Sequence, residues 1–199
     1  VALSSDLAQR CRDAGVPIVL FNRTQEGQAF CSVTSDNVEG GRQVARFLAA
    51  GGHERIGYIA GWEGASTQRD REAGFRAGLA EAGLDLHARD AGNFVVDEAK
   101  AATRRMFARD APPDAVFVAT DHMAFGVMDV LRAELGLRVP EDVSVVGFDD
   151  VPPAAWAAYN LTTVRQRANL MVARTVEIRL DQIEHPEAEI CEAALEAPL

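Results

Sequence analysis

Apolar and polar positions along the chain fall into alternating short and long blocks. The short blocks are nearly continuous: "PIVLF" (17–21), "FCSVT" (30–34), "RIGYIAG" (55–61), "AVFVA" (115–119) and "VSVVGF" (143–148). Brief runs rich in Val, Ile and Phe between polar or glycine positions predict strands buried on both faces. The long blocks repeat apolar residues at three- and four-residue spacing. Leu3, Leu7 and Cys11 predict a short helix closed by Gly15. Val38, Gly41, Ala45 and Leu48 predict a second, with Asp36 as N-cap, Glu39 as capping-box partner and Gly51-Gly52 as its end. Phe75, Leu79 and Ala82 mark a helix stopped by Gly83. Ala99, Ala102, Thr103 and Met106 mark one capped by Asp97. After Asp121, Ala124, Val127, Met128, Leu131 and Leu135 form one stripe before Gly136, and a late helix is expected to bury Val172, Val176, Leu180 and Ile183.

Apolar strands separated by helices imply parallel sheet, helices on both faces and right-handed crossovers, so the chain is α/β throughout. Ligands in such sheets sit beyond the carboxyl ends of the strands, where helix N-termini also point. That rule selects Asn22 and Arg23; Ser35, Asp36 and Asn37; Trp62, Glu63 and Ser66, with Arg71 in the next helix; Thr120 and Asp121; and Asp149 with Asp150. The last pair is unusual, because an apolar strand finishes in two adjacent carboxylates.

Composition narrows the function. A chain of 199 residues, 48% apolar and 25% charged, fits one large or two small globular domains. No run approaches the ~20 apolar residues that span a bilayer, so no membrane role is expected. A formal charge of −10 repels phosphate backbones, and this chain is not expected to bind nucleic acid unaided. Lys100 is the one lysine and follows no glycine loop, which removes a P-loop. Cys11, Cys31 and Cys191 are odd in number and widely spaced, as expected of reduced, buried thiols in a cytoplasmic protein rather than of disulfides or structural zinc.

Catalytic signatures are missing. The histidines at 53, 87, 122 and 185 never fall at metal-ligand spacing, G-x-S-x-G is absent, and "GYIAGWEG" does not match G-x-G-x-x-G. No catalytic residue, metal or cofactor is expected, and the chain reads as a binding module rather than an enzyme. One alternative is a Mg²⁺-dependent phosphoacceptor built on Asp121, Asp149 and Asp150, but such domains use a lysine at a later strand end and none follows Lys100.

Several segments together resemble the effector-binding core of lactose/galactose-type (LacI/GalR) repressors: "VPIVLFNR" (16–23), "SDNVEGGRQVARFLAAGGHERIGYIAG" (35–61), "RDREAGFRAGLAEAG" (69–83), "PDAVFVATDHMAFGVMDVL" (113–131), "GLRVPEDVSVVGFDD" (136–150) and "LTTVRQ" (161–166). The resemblance implies a type I periplasmic-binding-protein-like fold, with two doubly wound parallel-sheet subdomains around a cleft. On that pattern 1–53 is a partial N-terminal subdomain, 54–164 the C-terminal subdomain and 165–199 the return to the first. The resemblance also implies truncation, because no helix-turn-helix headpiece precedes Val1 and the last strand stops early at "ALEAPL".

Roles follow residue by residue. Arg71 is the arginine of the family's R-x-x-G-F, completed by Gly74 and Phe75, and clamps the ligand; Asp149 is the first acid of "FDD" and accepts its hydrogen bonds, leaving Asp150 to brace the turn. "VATDHMA" resembles A-x-N-D-x-M-A with Thr120 in place of asparagine, and Asp121 either lines the cleft or caps its helix. Asn22 and Arg23 stand where the family recognises effectors, Gln166 lies at the crossover between subdomains as a further candidate to reach the ligand, and Phe94 and Trp62 are candidates for stacking on it. The implied function is the ligand-sensing module of a cytoplasmic, homodimeric or larger transcriptional regulator. It would respond to a sugar-like metabolite and reach operator DNA only through the headpiece. The alternative is a periplasmic sugar-binding protein of a transporter.

Overall fold

A computed structural model of the chain describes residues 10, 11, 13–25 and 30–199. In chain order the elements are β1 (Val19–Phe21), β2 (Cys31–Ser35), α1 (Asn37–Ala50), β3 (Ile56–Ala60), α2 (Ser66–Glu81), β4 (Ala88–Ala91) and α3 (Val96–Phe107). There follow β5 (Ala115–Val118), α4 (Asp121–Asp129), β6 (Ser144–Asp149), β7 (Thr162–Arg165), α5 (Ala168–Glu184) and β8 (Glu192–Leu195). They pack as two compact units. The first holds the described residues up to Asp36, 65–67 and 167–196; the second holds 37–64, 68–166 and 197–199.

The first unit has a three-stranded parallel sheet in the order β1-β2-β8, with α5 packed on it. Its core is Cys31, Val33, Met171 and Ile178. Gly15 closes the short first helix as expected, with φ +65° and the Val16 amide donating to the Cys11 carbonyl at 2.8 Å; Leu3 and Leu7 lie outside the described residues. The stripe expected for the late helix is wrong in phase. Val172, Val176, Leu180 and Ile183 are all more than half exposed, and Met171 and Ile178 face the sheet instead. This helix carries apolar residues on two sides, so periodicity finds the helix and only the sheet chooses the side.

The second unit is a five-stranded, wholly parallel sheet in the order β4-β3-β5-β6-β7. The chain starts in β3, steps outward to β4, then crosses back to β5 and onward, which puts a topological switch point between β3 and β5. Tyr58, Phe75 and Phe117 stack at centroid separations of 4.9–5.6 Å in the core. The expected boundary at residue 53 moves to 36. Helix α1 packs in this unit, and Gly74 of α2 lies so close to the Val38 carbonyl that any Cβ there would collide with it. The chain end also returns here, because the Arg165 amide donates to the Pro198 carbonyl at 2.7 Å.

Smaller differences have local causes. Helix α3 starts at Val96 with Val95 as N-cap and no side-chain cap bond, so Asp97 lies in the first turn; a turn from Val95 N to the Gly92 carbonyl (2.7 Å) delivers the chain two residues early. Ala82 lies past the end of α2 and is exposed. Residues 130–134 form a π-turn after α4, which rotates the stripe so that Leu131 is buried and Leu135 is 41% exposed. β4 ("ARDA") carries no apolar run and β8 ("EAAL") only a short one; both lie at sheet edges and keep part of their surface exposed.

Candidate functional site

The site of the second unit begins where β6 ends. Val145, Val146 and Phe148 are buried, and Asp149 and Asp150 then take φ of +128° and +58°. An L-residue held in such backbone costs about 1–3 kcal/mol, so the surroundings must enforce it. Four contacts do. Gln166, just past β7, donates its amide to the Asp149 carbonyl at 3.2 Å and its Nε2 to Asp149 Oδ1 at 2.5 Å. The Val151 amide donates to Asp121 Oδ2 at 2.9 Å. Arg165 Nε donates to Asp150 Oδ2, so Asp150 braces the turn.

Arg71 reaches this strand end from α2 and is only 2% exposed. Its Nε donates to Asn37 Oδ1 at 2.8 Å and its Nη1 to the Ala119 carbonyl, at the tip of β5, at 2.5 Å. The guanidinium lies over Phe148, with Cζ 3.6 Å from the ring centroid, and Nη2 stands 3.6 Å from Asp149 Oδ1. Arg71 and Asp149 therefore converge. The Asp149 side chain keeps 19% of its surface exposed, so the carboxylate is partly presented to solvent while its charge is balanced from behind. Burial raises its pKa, while the Arg71 charge and the Gln166 hydrogen bond act in the opposite direction.

Asp121 corrects one expectation. It has no exposed surface, and both oxygens are engaged: Oδ1 by the Thr163 hydroxyl at 2.6 Å and Oδ2 by the Val151 amide. Gly147 leaves the room, since a Cβ there would meet Asp121 Oδ1. Asp121 sits behind the turn rather than on a ligand surface. Burial, with a smaller contribution from the Asp149 charge, pushes its pKa up to about 6.

The other expected residues lie at strand ends without joining this constellation. Thr120 is the N-cap of α4 and makes no side-chain cap bond. Trp62 is 48% exposed and packs on Gly64; Phe94, with φ +63°, is partly buried against Gly61. Asn22 and Arg23 belong to the first unit. The Asn22 amide donates to the Val33 carbonyl at 2.8 Å, its Oδ1 is buried without a hydrogen-bond partner among the described residues, and Arg23 Nη1 donates to Thr67 Oγ1 at 3.2 Å. Sequence reasoning missed the supports Phe148 and Thr163, which are defined only by what they touch; Asn37 was among the strand-end candidates, and here it holds Arg71. Among the described residues no three His, Cys, Asp or Glu side chains gather as a metal site.

A family profile described as a periplasmic-binding-protein-like domain matches residues 45–198. The chain belongs to this family. Its structural counterparts are effector-binding cores of LacI-type regulators: a transcriptional regulator CelR–cellobiose complex superposes with a TM-score of 0.91 at 35% identity, covering 99% of this chain and 61% of that one. A LacI transcriptional regulator from a Rhodococcus species gives 0.91 at 30%, covering 100% and 73%. Among curated proteins, the HTH-type regulator CelR of Thermobifida fusca is 36% identical over 97% of this chain. The HTH-type repressor PurR of Vibrio cholerae is 32% identical over 95%. The chain spans 58% of the length of each of these two relatives.

Proposed function

We propose that this chain is the effector-sensing module of a cytoplasmic DNA-binding transcriptional regulator, and that its effector is a sugar. The observation that carries the reading is the strand-end carboxylate of Asp149, held in left-handed backbone and balanced by Arg71 and Gln166. A hydroxyl-rich neutral ligand donates to such an acceptor, whereas a bare anion is repelled by it. Arg71 acts as the positioning cation, and Trp62 supplies an exposed aromatic face to a sugar ring.

The regulators among its relatives, and the regulator solved with cellobiose, support a sensor over a transporter-linked binding protein. With a net charge of −10 the chain depends on a separate helix-turn-helix segment to contact operator DNA, and on a second copy to match a two-fold operator. The effector acts by binding one arrangement of the protein better than another.

The test is thermal unfolding of the purified protein with cellobiose, ribose and a purine base in turn. Ligand at 100 times its Kd stabilises by about 2.7 kcal/mol, which raises Tm by roughly 5–10 °C at this size. A sugar should produce that shift, and Asp149→Asn or Arg71→Ala should abolish it. A shift with the purine alone would overturn the sugar reading.

A further inference from the structure

The first unit contains a pair of thiols that the effector reading does not use. Cys31 opens β2, and Cys191 immediately precedes β8, its parallel neighbour. The register pairs Ser32 with Glu192, so the cysteines stand side by side one step before that pair. The Ser32 amide donates to the Cys191 carbonyl at 2.9 Å, which fixes the two backbones at ladder spacing. Neighbouring strands run about 4.8 Å apart, inside the Cα separation a disulfide accepts. The Cys31 side chain also reaches the Cys191 backbone: the Cys191 amide donates to Cys31 Sγ at 3.1 Å, although 160 residues separate the two.

Their surroundings differ in a useful way. Cys31 is 1% exposed, and its sulfur also accepts from Gln182 Nε2 at 3.2 Å. Cys191 is partly exposed, and Arg174 Nη2 donates to its sulfur at 3.8 Å. Both line a cavity of about 280 Å³ beside α5, with Arg174 and Gln182 on its wall. Cys191 is the more accessible thiol, and Cys31 is buried beside its backbone.

We propose that Cys31 and Cys191 form a reversible disulfide on exposure to a peroxide, stapling β8 to β2. The Cys191 sulfur attacks hydrogen peroxide: an S–O bond forms, the O–O bond breaks and water leaves, giving the sulfenic acid. The Cys31 sulfur then attacks the Cys191 sulfur. The S–S bond forms, the S–O bond breaks, and the departing hydroxide takes the Cys31 proton to leave as water. Two thiols are oxidised by two electrons in total, and one peroxide is reduced to two waters. This pairing is independent of the effector and of the site around Asp149.

The experiment treats the purified protein with a small excess of hydrogen peroxide and counts thiols after denaturation. The count should fall from three to one, with Cys11 the survivor, and a non-reducing peptide map should join Cys31 to Cys191. Dithiothreitol should restore three thiols, and the oxidised form should unfold at a higher urea concentration. In Cys31→Ser the Cys191 sulfenic acid has no resolving partner and should be trapped by dimedone, whereas the unsubstituted protein should give little adduct. A crosslink through Cys11, a sulfinic acid accumulating at Cys191, or equal dimedone labelling with and without Cys31 would each overturn the pairing.

Discussion

Asp121→Asn should remove an acid-favouring component from the dependence of folding stability on pH. Asp121 is fully buried between Thr163 and the Val151 amide, and its pKa rises from 3.8 in the free side chain to about 6. A shift of roughly two units corresponds to about 3 kcal/mol. Because the folded pKa is the higher one, the folded protein holds this proton more tightly than the unfolded chain. The resulting stabilisation is complete below about pH 4 and disappears as pH climbs through 6. Between pH 4.5 and 7.5 the group should change stability by about 2 kcal/mol, with acid favouring the fold. Asparagine keeps the shape without titrating, and it relieves Asp149 of a neighbouring charge, which removes more of the same acid-favouring component. Other carboxylates work in the opposite direction: Glu72 and Asp90, held below the usual range by Arg89 and Arg105, lose their contribution in acid. They are common to both proteins and cancel in the difference. Urea unfolding of both proteins at half-unit pH steps measures it directly. Parallel profiles, agreeing within about 0.5 kcal/mol after a constant offset, would show that Asp121 ionises normally and refute the buried-carboxylate argument.

Three further outcomes follow from the packing. Arg71→Met removes the guanidinium stacked on Phe148 and takes one partner each from Asn37, the Ala119 carbonyl and Asp149; it should cost about 3–5 kcal/mol at pH 7 and less in mild acid, where Asp149 is more readily protonated, as read from urea midpoints. Gly74→Ala should destabilise by about 1–3 kcal/mol, because the methyl group meets the Val38 carbonyl and forces α1 away from α2; calorimetry measures the fall in Tm. Ile178→Ala should cost about 2–4 kcal/mol, whereas Leu180→Ala, two residues on and 54% exposed, should cost under about 1 kcal/mol; equal losses would mean that the wrong side of α5 faces the sheet.

Legibility in the sequence tracked burial. β3, β5 and β6 are covered on both faces, so their apolar runs were plain, while edge strand β4 left no run to find and edge strand β8 only a short one. The stripes of α3 and α4 were found, apart from Leu135, because one face of each is apolar; α5 has two such faces, and its buried one was misassigned. At the site, the strand-end rule together with the family motif selected Arg71, Asp149 and Gln166, which converge on one strand end. It also selected Asp121, which is polar and follows β5 as a ligand contact would, yet turns inward to hold the loop.

The order of strands and helices, the parallel sheet and the strand ends that carry polar groups were determined by the sequence alone, since each follows from local periodicity and from the need to bury apolar runs. Tertiary structure decided which face of α5 is covered, that α1 belongs with the second unit, and that Asp121 turns inward to hold the loop after β6. Those outcomes depend on contacts between residues dozens of positions apart. A periodic pattern records how often an apolar side chain recurs, and only the packed partner sets the direction in which it points.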